Sequence, residues 1–297
     1  MITTPTCLVL GAGASAPYRF PVGVELRNQI ARLTGKEYQV MTDSGFPVEE
    51  VKAFAHALSR SGYGSVDWFL ADFPDFIPVG KAAIAAHVMP MERDYNLWPP
   101  KMAGSSWYEF LLNSLDDHGE FADNQLGVVT FNYDRSLEHY LYTALCTRRG
   151  DEERAAADLS SIEIVHVHGS LGEYPIFGRE GQPYKALETP EAVIEAASRI
   201  LILSEADDDT KEFARARELL DQAERIIFLG FGYHSESLRR LGPWSEDTRG
   251  DTYIIGTREG IPDRQWNRLV EPFNRLFRNI GSAKIYPFLT AWFDFAD

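Results

Sequence analysis

The stretch Cys7-Leu8-Val9-Leu10-Gly11-Ala12-Gly13-Ala14-Ser15 determines the expected fold of this chain. Four residues suited to burial, followed directly by a glycine turn, are typical of a fully buried parallel strand. Val24, Leu26 and Ile30 then begin a helical pattern. A strand, a glycine turn and a helix in this order predict a pyrophosphate site, because small residues let backbone N–H groups approach an anion.

The glycine spacing is a short signal that has two interpretations. Gly11-x-Gly13-x-x-Ala16 agrees with the looser form of the dinucleotide-binding pattern. A tight turn between a strand and a loop, with no ligand, has the same sequence. The choice between the two depends on what the other strand ends carry.

The composition is that of an ordinary globular protein with an acidic charge balance. The 297 residues suffice for one large α/β domain or two small ones, and 44% of them are hydrophobic. No apolar run approaches the ~18 to 20 residues of a membrane span, and Met1–Pro5 lacks the basic segment of a signal peptide. The net charge of −15 repels polyanions such as DNA and RNA. We therefore expect a cytoplasmic protein that binds neither a membrane nor nucleic acid directly.

The cysteines agree with a reducing compartment. Cys7 and Cys146 are the two cysteines of the chain, and Cys7 lies in the predicted buried strand. A disulfide framework is therefore not expected. A four-cysteine zinc site cannot be built.

Further apolar stretches predict the rest of a sheet. The expected strands are Leu126–Phe131, Ile162–Val167, Arg225–Leu229 and Asp251–Thr257, with Lys284–Phe288 as an edge strand. Helices are expected from Thr189 to about Leu203 and from near Asp208 to Ala223, the second with Asp207–Asp209 at its positive end. This alternation predicts an α/β fold, a Rossmann-like open parallel sheet with helices on both faces.

A long segment between the first helix and the second strand lacks a strand pattern. Its clearest feature is the stripe of Trp107, Phe110, Leu111 and Leu115 at helical spacing. We expect residues 1–35 and 121–297 to form the Rossmann-like catalytic domain. Residues 36–120 are expected to form a helical insertion after its first strand and helix, within one compact unit.

Small or polar residues follow four of the predicted strands. They are Gly11–Ser15, Asn132–Asp134, His168–Ser170 and Gly230–Gly232. Ligands of open parallel sheets bind outside the carboxyl ends of the strands, at the point where the strand order reverses. We therefore expect these four segments to converge on one site.

This combination resembles the sirtuin superfamily, most closely the sirtuin-like NAD-consuming domains of bacterial anti-phage defence. The matching segments are Gly11–Ser15, Thr130-Phe131-Asn132-Tyr133-Asp134, His168-Gly169-Ser170-Leu171 and Gly230-Phe231-Gly232. Each is short, and the specificity comes from their order and their positions at strand ends. The resemblance covers the α/β part of the chain and not the helical insertion.

The resemblance implies a role for each matching residue. Asn132 would orient a water molecule or the ribose at C1′, and His168 would be the general base. Asp134 would lie near the nicotinamide amide. The residues expected to contact NAD are Gly11, Ala12, Gly13, Ala14, Ser15, Phe20, Pro21, Thr130, Asp134, Gly230, Phe231 and Gly232.

Two departures argue against a sirtuin deacylase. The deacylases carry two Cys-x-x-Cys pairs after the His-Gly motif, whereas Leu171–Ala223 contains no cysteine. They also carry Ile-Pro-Asp-Phe-Arg where this chain has Phe20-Pro21-Val22-Gly23-Val24. Both losses affect acyl-lysine docking and leave the NAD-cleaving residues in place. A dehydrogenase is also disfavoured, because no strand after the first helix offers an acid to the adenosine ribose.

The chemistry that the resemblance implies is hydrolysis of the nicotinamide–ribose bond. The nicotinamide ring is cationic while it is part of NAD⁺ and leaves as a neutral molecule, so no general acid has to protonate it. The site needs an oriented water and a base with a pKa near neutrality, which suits an Asn amide and an imidazole. Water attack at C1′ gives nicotinamide and ADP-ribose, with NAD as the substrate.

Other interpretations of these residues stay open at this point. The chain would otherwise be a module that senses NAD or ADP-ribose, or a zinc-free deacylase or ADP-ribosyl transferase. His166-x-His168 would suit a metal pair on one strand face, but zinc needs further ligands and we expect no metal. Asn132 or Asp134 would also serve as a helix cap, and Gly230 and Gly232 as turn residues only.

The resemblance also implies partners. We expect a homo-oligomer or a separately encoded partner, such as a HerA-type ATPase or a short Argonaute. The helical insertion and the aromatic tail Phe288–Phe295 are the expected contact surfaces. The expected effect in the cell is NAD depletion during phage infection.

Overall fold

The computed structural model describes residues 1–32, 34–99, 105–202, 205, 210–244, 249–270 and 277–292. Within them, six strands form one sheet: β1 (Thr6–Leu10), β2 (Leu126–Thr130), β3 (Glu163–His166), β4 (Arg225–Leu229), β5 (Tyr253–Thr257) and β6 (Phe277–Gly281). The order is β3-β2-β1-β4-β5-β6, and every neighbouring pair is parallel. This is the strand order of the doubly wound Rossmann fold, which reverses between β1 and β4. The predicted α/β class with an open parallel sheet is confirmed.

Helices fill most of the remaining described chain. They are α1 (Ala12–Ser15), α2 (Gly23–Arg32), α3 (Lys36–Asp43), α4 (Val48–Arg60), α5 (Val66–Asp72), α6 (Ile77–Val88), α7 (Asp94–Leu97), α8 (Trp107–Leu115), α9 (Ser136–Arg149), α10 (Glu152–Ser160), α11 (Pro190–Arg199), α12 (Lys211–Gln222), α13 (Ser235–Leu241), α14 (Asp263–Val270) and α15 (Ile285–Trp292). Single 3₁₀ turns occupy Ala16–Tyr18, Pro74–Phe76, Met89–Met91 and Phe121–Asp123. In the part of the chain described here, no helix is both long and apolar enough to cross a bilayer.

The sheet separates two apolar cores. Side chains alternate between the faces of a strand, so Leu8 and Leu10 of β1 enter one core while Cys7 and Val9 enter the other. The first core is covered by helices that include α2, α4, α6, α8, α9 and α11, and the second by α12 and α13. Burial raises the pKa of the Cys7 thiol to about 12. Helices on both faces explain why β1 is buried along its whole length.

The segment between α2 and β2 is helical, as expected. Its helices α3 to α8 bury Phe54, Phe69 and Trp107 in the same core as Leu8 of the central strand. Helix α6 is apolar on all sides and packs against α11 and α3. The insertion therefore shares a continuous core with the sheet.

The expected edge strand Lys284–Phe288 is wrong, because this segment lies in helix α15. Ile285, Phe288 and Leu289 have helical spacing and are all buried. Pro287 fits the first turn of a helix, where a backbone N–H has no intrahelical partner. The edge of the sheet is instead β6. Residues 293–297, which include the end of the aromatic tail, lie outside the described residues.

Helix α11 ends at Arg199, short of the expected end near Leu203. The backbone N–H of Leu201 donates to the carbonyl of His168 at 2.8 Å, which draws the chain out of the helix. A Cβ atom on Gly169 would lie 1.9 Å from the Arg199 carbonyl oxygen, so this approach requires glycine. Leu203 and Asp207–Asp209 lie outside the described residues.

A buried ion pair joins the insertion to the chain that follows β2. The side chains of Arg135 and Glu92 are each 2% exposed. Arg135 Nε donates to Glu92 Oε1 at 3.0 Å, and its Nη2 donates to Glu92 Oε2. Its Nη1 donates to the carbonyl oxygens of Gln182 at 2.6 Å and of Glu173 at 3.2 Å. One guanidinium thus holds three distant segments together.

Glu92→Leu is expected to lower the free energy of unfolding by about 3–5 kcal/mol, because it leaves a buried guanidinium without its carboxylate. Urea unfolding followed by circular dichroism measures the change. Glu49→Leu is the matched control, since Glu49 is exposed and pairs only with exposed Lys52. The control is expected to change stability by less than about 0.5 kcal/mol. Equal unfolding midpoints for the two variants would show that the Arg135 charge needs no partner.

Candidate functional site

The four strand-end segments leave the sheet side by side at its carboxyl edge. The N–H of Phe131 donates to the carbonyl of Leu10 at 2.9 Å, and the N–H of Gly11 donates to the carbonyl of Leu229 at 3.1 Å. On the other side of β2, the N–H of Val167 donates to the carbonyl of Thr130 at 3.0 Å. These bonds extend the ladders by one residue beyond the strands. The spatial order of the segments is therefore His168, Asn132, Gly11, Gly230.

The first and the last glycine turns touch through their backbones. The N–H of Gly13 donates to the carbonyl of Gly230 at 3.0 Å. A Cβ on Gly11 would lie 2.6 Å from that same carbonyl oxygen, and a Cβ on Gly13 would lie 2.8 Å from the Gly230 Cα. Gly230 itself has φ 59°, a conformation that favours glycine. Packing between the turns thus accounts for all three glycines.

The same contacts use several N–H groups of the first turn. Gly11, Gly13 and Ala14 donate to the carbonyls of Leu229, Gly230 and Gly11, respectively. The predicted contact between the turn and a pyrophosphate therefore has fewer free donors than the sequence pattern indicates. That contact stays a prediction.

Asn132 fastens the end of β2 to the first glycine turn. Its side chain is buried, and Nδ2 donates to the carbonyl of Gly11 and to Ser15 Oγ, each at 3.0 Å. Its backbone N–H donates to Thr130 Oγ1 at 3.1 Å. Four of the predicted site residues therefore form one connected group.

Asp134 supports the start of α9. Its Oδ1 accepts from the backbone N–H of Ser136 at 3.1 Å and from the Ser136 hydroxyl. Tyr108 of the insertion shares a 2.7 Å hydrogen bond with the same hydroxyl. Burial raises the pKa of the Asp134 carboxyl. Of the two candidate caps, Asp134 is the one that binds the helix backbone.

A cavity of about 10 Å³ lies inside this polar group, which is the size of one water molecule. Its polar lining consists of Ser15, Tyr108, Thr130, Asn132, Asp134, Ser136, Glu138 and His166. A larger open cleft of about 680 Å³ lies beyond the free edge of β3, and Glu138 and His166 border both spaces.

His168 lies at the same end of the sheet, among residues of the second core. Its ring centre is 5.4 Å from that of Phe131 and 5.8 Å from that of Phe213, both in edge-to-face contact. The side chain is buried, and Nδ1 has no hydrogen-bond partner among the residues that the structure describes. Burial lowers the pKa of His168, while the negative charge of Asp67 raises it in part. An unpaired buried nitrogen of this kind is rare and indicates a place for a water or ligand atom.

His166 and His168 were expected on one face of β3, but the structure places their side chains on opposite sides. The strand ends at His166, which points toward Asn132 and Glu138. His168 follows the strand and contacts the aromatic rings on the opposite side. In the described part of the chain, no group of three or more His, Cys, Asp or Glu side chains is arranged to hold a metal ion.

Other predicted site residues make contacts outside the polar group around Asn132. The Phe231 ring lies 5.0 Å from Phe131 and so joins the aromatic group around His168. Gly232 is exposed, next to the His234 ring. Phe20 is buried in the first core, and Pro21 is partly exposed beside it.

The insertion supplies contacts that the sequence did not reveal. Trp107 Nε1 donates to the carbonyl of Ala14 at 2.8 Å, and the Tyr18 and Tyr108 rings stack with centres 3.9 Å apart. Asp67 accepts a hydrogen bond from the Tyr133 hydroxyl. The helical stripe predicted that Trp107 is buried, but no local pattern identifies what it bonds.

Comparison with known proteins adds no family assignment. No protein-family model matches the chain, and no curated protein matches it at a significant level of similarity.

Gly13→Ala is expected to lower the free energy of unfolding by about 1–3 kcal/mol or more, because its Cβ would meet the backbone of Gly230, which has no room to move. Chemical unfolding measures this change. Gly64→Ala is the control, since no atom lies within 4 Å of the added Cβ. The control is expected to be neutral or slightly stabilising. A neutral Gly13→Ala would contradict the close contact between the turns.

Proposed function

We propose that this protein is an NAD⁺ glycohydrolase that cleaves the nicotinamide–ribose bond with water and releases nicotinamide and ADP-ribose. The observation that supports this most directly is the convergence of the four motif segments at one edge of the sheet, on both sides of the strand-order reversal. Dinucleotides bind at such an edge in open α/β sheets. The buried, unpaired Nδ1 of His168 supports a polar ligand at this place.

Asn132 is proposed to orient the attacking water. Its two amide hydrogens are held by Gly11 and Ser15, which fixes the plane of the amide. Its Oδ1 makes no hydrogen bond within the described residues and is free to accept one from water. A fixed acceptor positions a water without the entropic cost of ordering the side chain during the reaction.

His168 is proposed to act as the general base. Burial lowers its pKa, so the ring is neutral at physiological pH and able to accept a proton. The neighbouring carboxylate of Asp67 stabilises the imidazolium that forms when the proton is transferred.

One observation favours a second candidate, a module that binds NAD or ADP-ribose without cleaving it. Both amide hydrogens of Asn132 and one carboxylate oxygen of Asp134 are engaged in internal hydrogen bonds. The Asn132 side chain also lines the small cavity with Leu10 and Tyr108 of the first core, whereas His168 contacts Phe131 and Phe213 of the second. Polar side chains that are fixed by internal hydrogen bonds suit a rigid binding surface as well as a reaction site.

We extend the proposal to the cellular setting that the resemblance implies. The protein would act in the cytoplasm, deplete NAD during phage infection, and work as a homo-oligomer or with a separately encoded partner such as a HerA-type ATPase or a short Argonaute. Exposed Tyr95 and Trp98 of the insertion support a contact surface there. A monomer with full, unregulated activity would contradict the partner proposal.

His168→Ala is expected to lower kcat for NAD⁺ hydrolysis by about 10²- to 10⁴-fold, the usual contribution of a general base. Chromatographic detection of nicotinamide measures the rate, and calorimetry measures NAD⁺ binding. His118→Ala is the control, because the His118 side chain is 85% exposed. Binding without turnover by the unmodified protein would favour the sensing module. Release that needs an added acceptor would favour a transferase.

The acidic limb of the pH profile of kcat/KM is expected below pH 6.5. Burial lowers the pKa of His168, so the neutral base persists into acid, and activity falls only when the ring is finally protonated. Asp67→Asn removes a charge that raises this pKa and is expected to move the limb to still lower pH. A limb above pH 6.5, or one unmoved by Asp67→Asn, would contradict the assignment of His168.

A further inference from the structure

His166 makes two short hydrogen bonds that the proposed reaction does not use. Its Nδ1 lies 2.8 Å from the backbone carbonyl oxygen of Asn132. Its Nε2 lies 2.7 Å from Glu138 Oε1, on the first turn of α9. His166 is the register partner of Thr130, so the ring lies beside the chain as it leaves β2. The ring is therefore held at both nitrogens between the edge strand and a helix.

Both partners of the ring accept hydrogen bonds. A backbone carbonyl has no proton to donate, and an ionised carboxylate has none either. A neutral imidazole donates from one nitrogen only, so it satisfies one of these contacts and turns a lone pair toward the other. The imidazolium donates from both nitrogens. Both contacts are hydrogen bonds only if the ring carries a proton on each nitrogen. A neutral ring beside an ionised Glu138 has one proton too few.

The position of Asn132 depends on this ring. The backbone of Asn132 is held by Thr130 at its N–H and by His166 at its carbonyl. Its side chain reaches the first glycine turn at Gly11 and Ser15. If the imidazolium loses a proton, the remaining one stays on Nε2, because the Glu138 carboxylate is the stronger acceptor. The Nδ1 lone pair then faces the Asn132 carbonyl oxygen, and the repulsion between them shifts the loop that carries Asn132.

The surrounding charges favour the protonated ring. Glu138 contacts it from α9, and Asp134 faces it across the small cavity. Around the cleft on the other side of β3, the charged residues are Glu163, Glu173, Arg179, Arg199 and Glu212. Burial lowers the pKa of His166, but the Glu138 carboxylate and the Asn132 carbonyl raise it by more, so it lies above the ordinary value of 6.5.

We infer that His166 is a positioning residue that works as a partly buried imidazolium, fixing Asn132 against the first glycine turn and releasing it when the proton is lost. The effect of His166 on activity rests on the proposed function, whereas the positive charge of His166 is independent of that function. With the folded pKa raised above the unfolded one, the stabilisation is complete at pH below about 6.5 and is lost as pH rises through the folded value. His168 and His166 then limit activity from opposite sides of the pH range.

The charge is tested by NMR on the full chain labelled with ¹⁵N-histidine, in which the His166→Gln variant assigns the signal among the seven histidines. We expect both ring nitrogens to be protonated at pH 6.5 and the titration midpoint to lie above that pH. A neutral ring at pH 6.5 would overturn the inference. This result is independent of any activity toward NAD⁺.

The positioning role is tested with Glu138→Gln, which keeps an acceptor for Nε2 and removes the charge. The His166 midpoint and the alkaline limb of the kcat/KM profile are both expected to move to lower pH. At pH values between the two midpoints, kcat/KM is expected to fall by up to about tenfold for each pH unit by which the midpoint moves, because a smaller fraction of His166 is then protonated. Glu163→Gln is the matched control. Glu163 lies on β3, the strand of His166, but its carboxylate pairs with Arg215.

The outcomes separate the two proposals. If the His166 midpoint and the alkaline limb of the kcat/KM profile both move with Glu138→Gln and not with Glu163→Gln, His166 positions Asn132 for the reaction. If the NMR midpoint moves but the activity limb does not, the positioning role is overturned. If no variant and no unmodified protein hydrolyses NAD⁺, the proposed function fails, and the NMR titration alone decides the charge of His166.

Discussion

The close contact between two glycine turns is the constraint on which the rest of the site depends. Strands β1 and β4 are neighbours, and the turns that follow them meet backbone to backbone, with no space for a Cβ on Gly11, Gly13 or Gly230. Because backbone atoms cannot rotate out of the way as a side chain does, this contact fixes where α1 begins. Asn132 then binds the outer side of the same turn.

Side chains from the insertion hold the first glycine turn and the start of α9 in place. Trp107 bonds the carbonyl of Ala14, and Tyr108 bonds Ser136 at the start of α9. The buried pair of Arg135 and Glu92 anchors the insertion to the chain just after the Asn132 motif. A segment without any motif therefore determines how rigid the motif residues are, since buried and fully bonded polar groups specify one geometry.

The sheet and the clustering of the motif segments were predictable, whereas the roles of single side chains were not. Apolar runs identify buried strands because burial on both faces demands them, and parallel strands bring their carboxyl ends to one edge. The strand predicted at Lys284–Phe288 was wrong because a short, mostly apolar run of five residues suits either a strand or a buried helix. The bonds of His166 to Asn132 and Glu138 join three segments, and no local pattern encodes partners 28 and 34 residues away.

The position of β1 in the middle of the sheet has a consequence for how the chain folds. Thr6 pairs with Leu126 on one side and with Arg225 on the other. Strand β1 therefore waits for more than two hundred further residues to be synthesised before both of its edges are covered. Pairings so remote in sequence close slowly, and an apolar strand left open in the meantime is prone to associate with other chains. Efficient production of this protein thus depends on protection of strand β1 during synthesis.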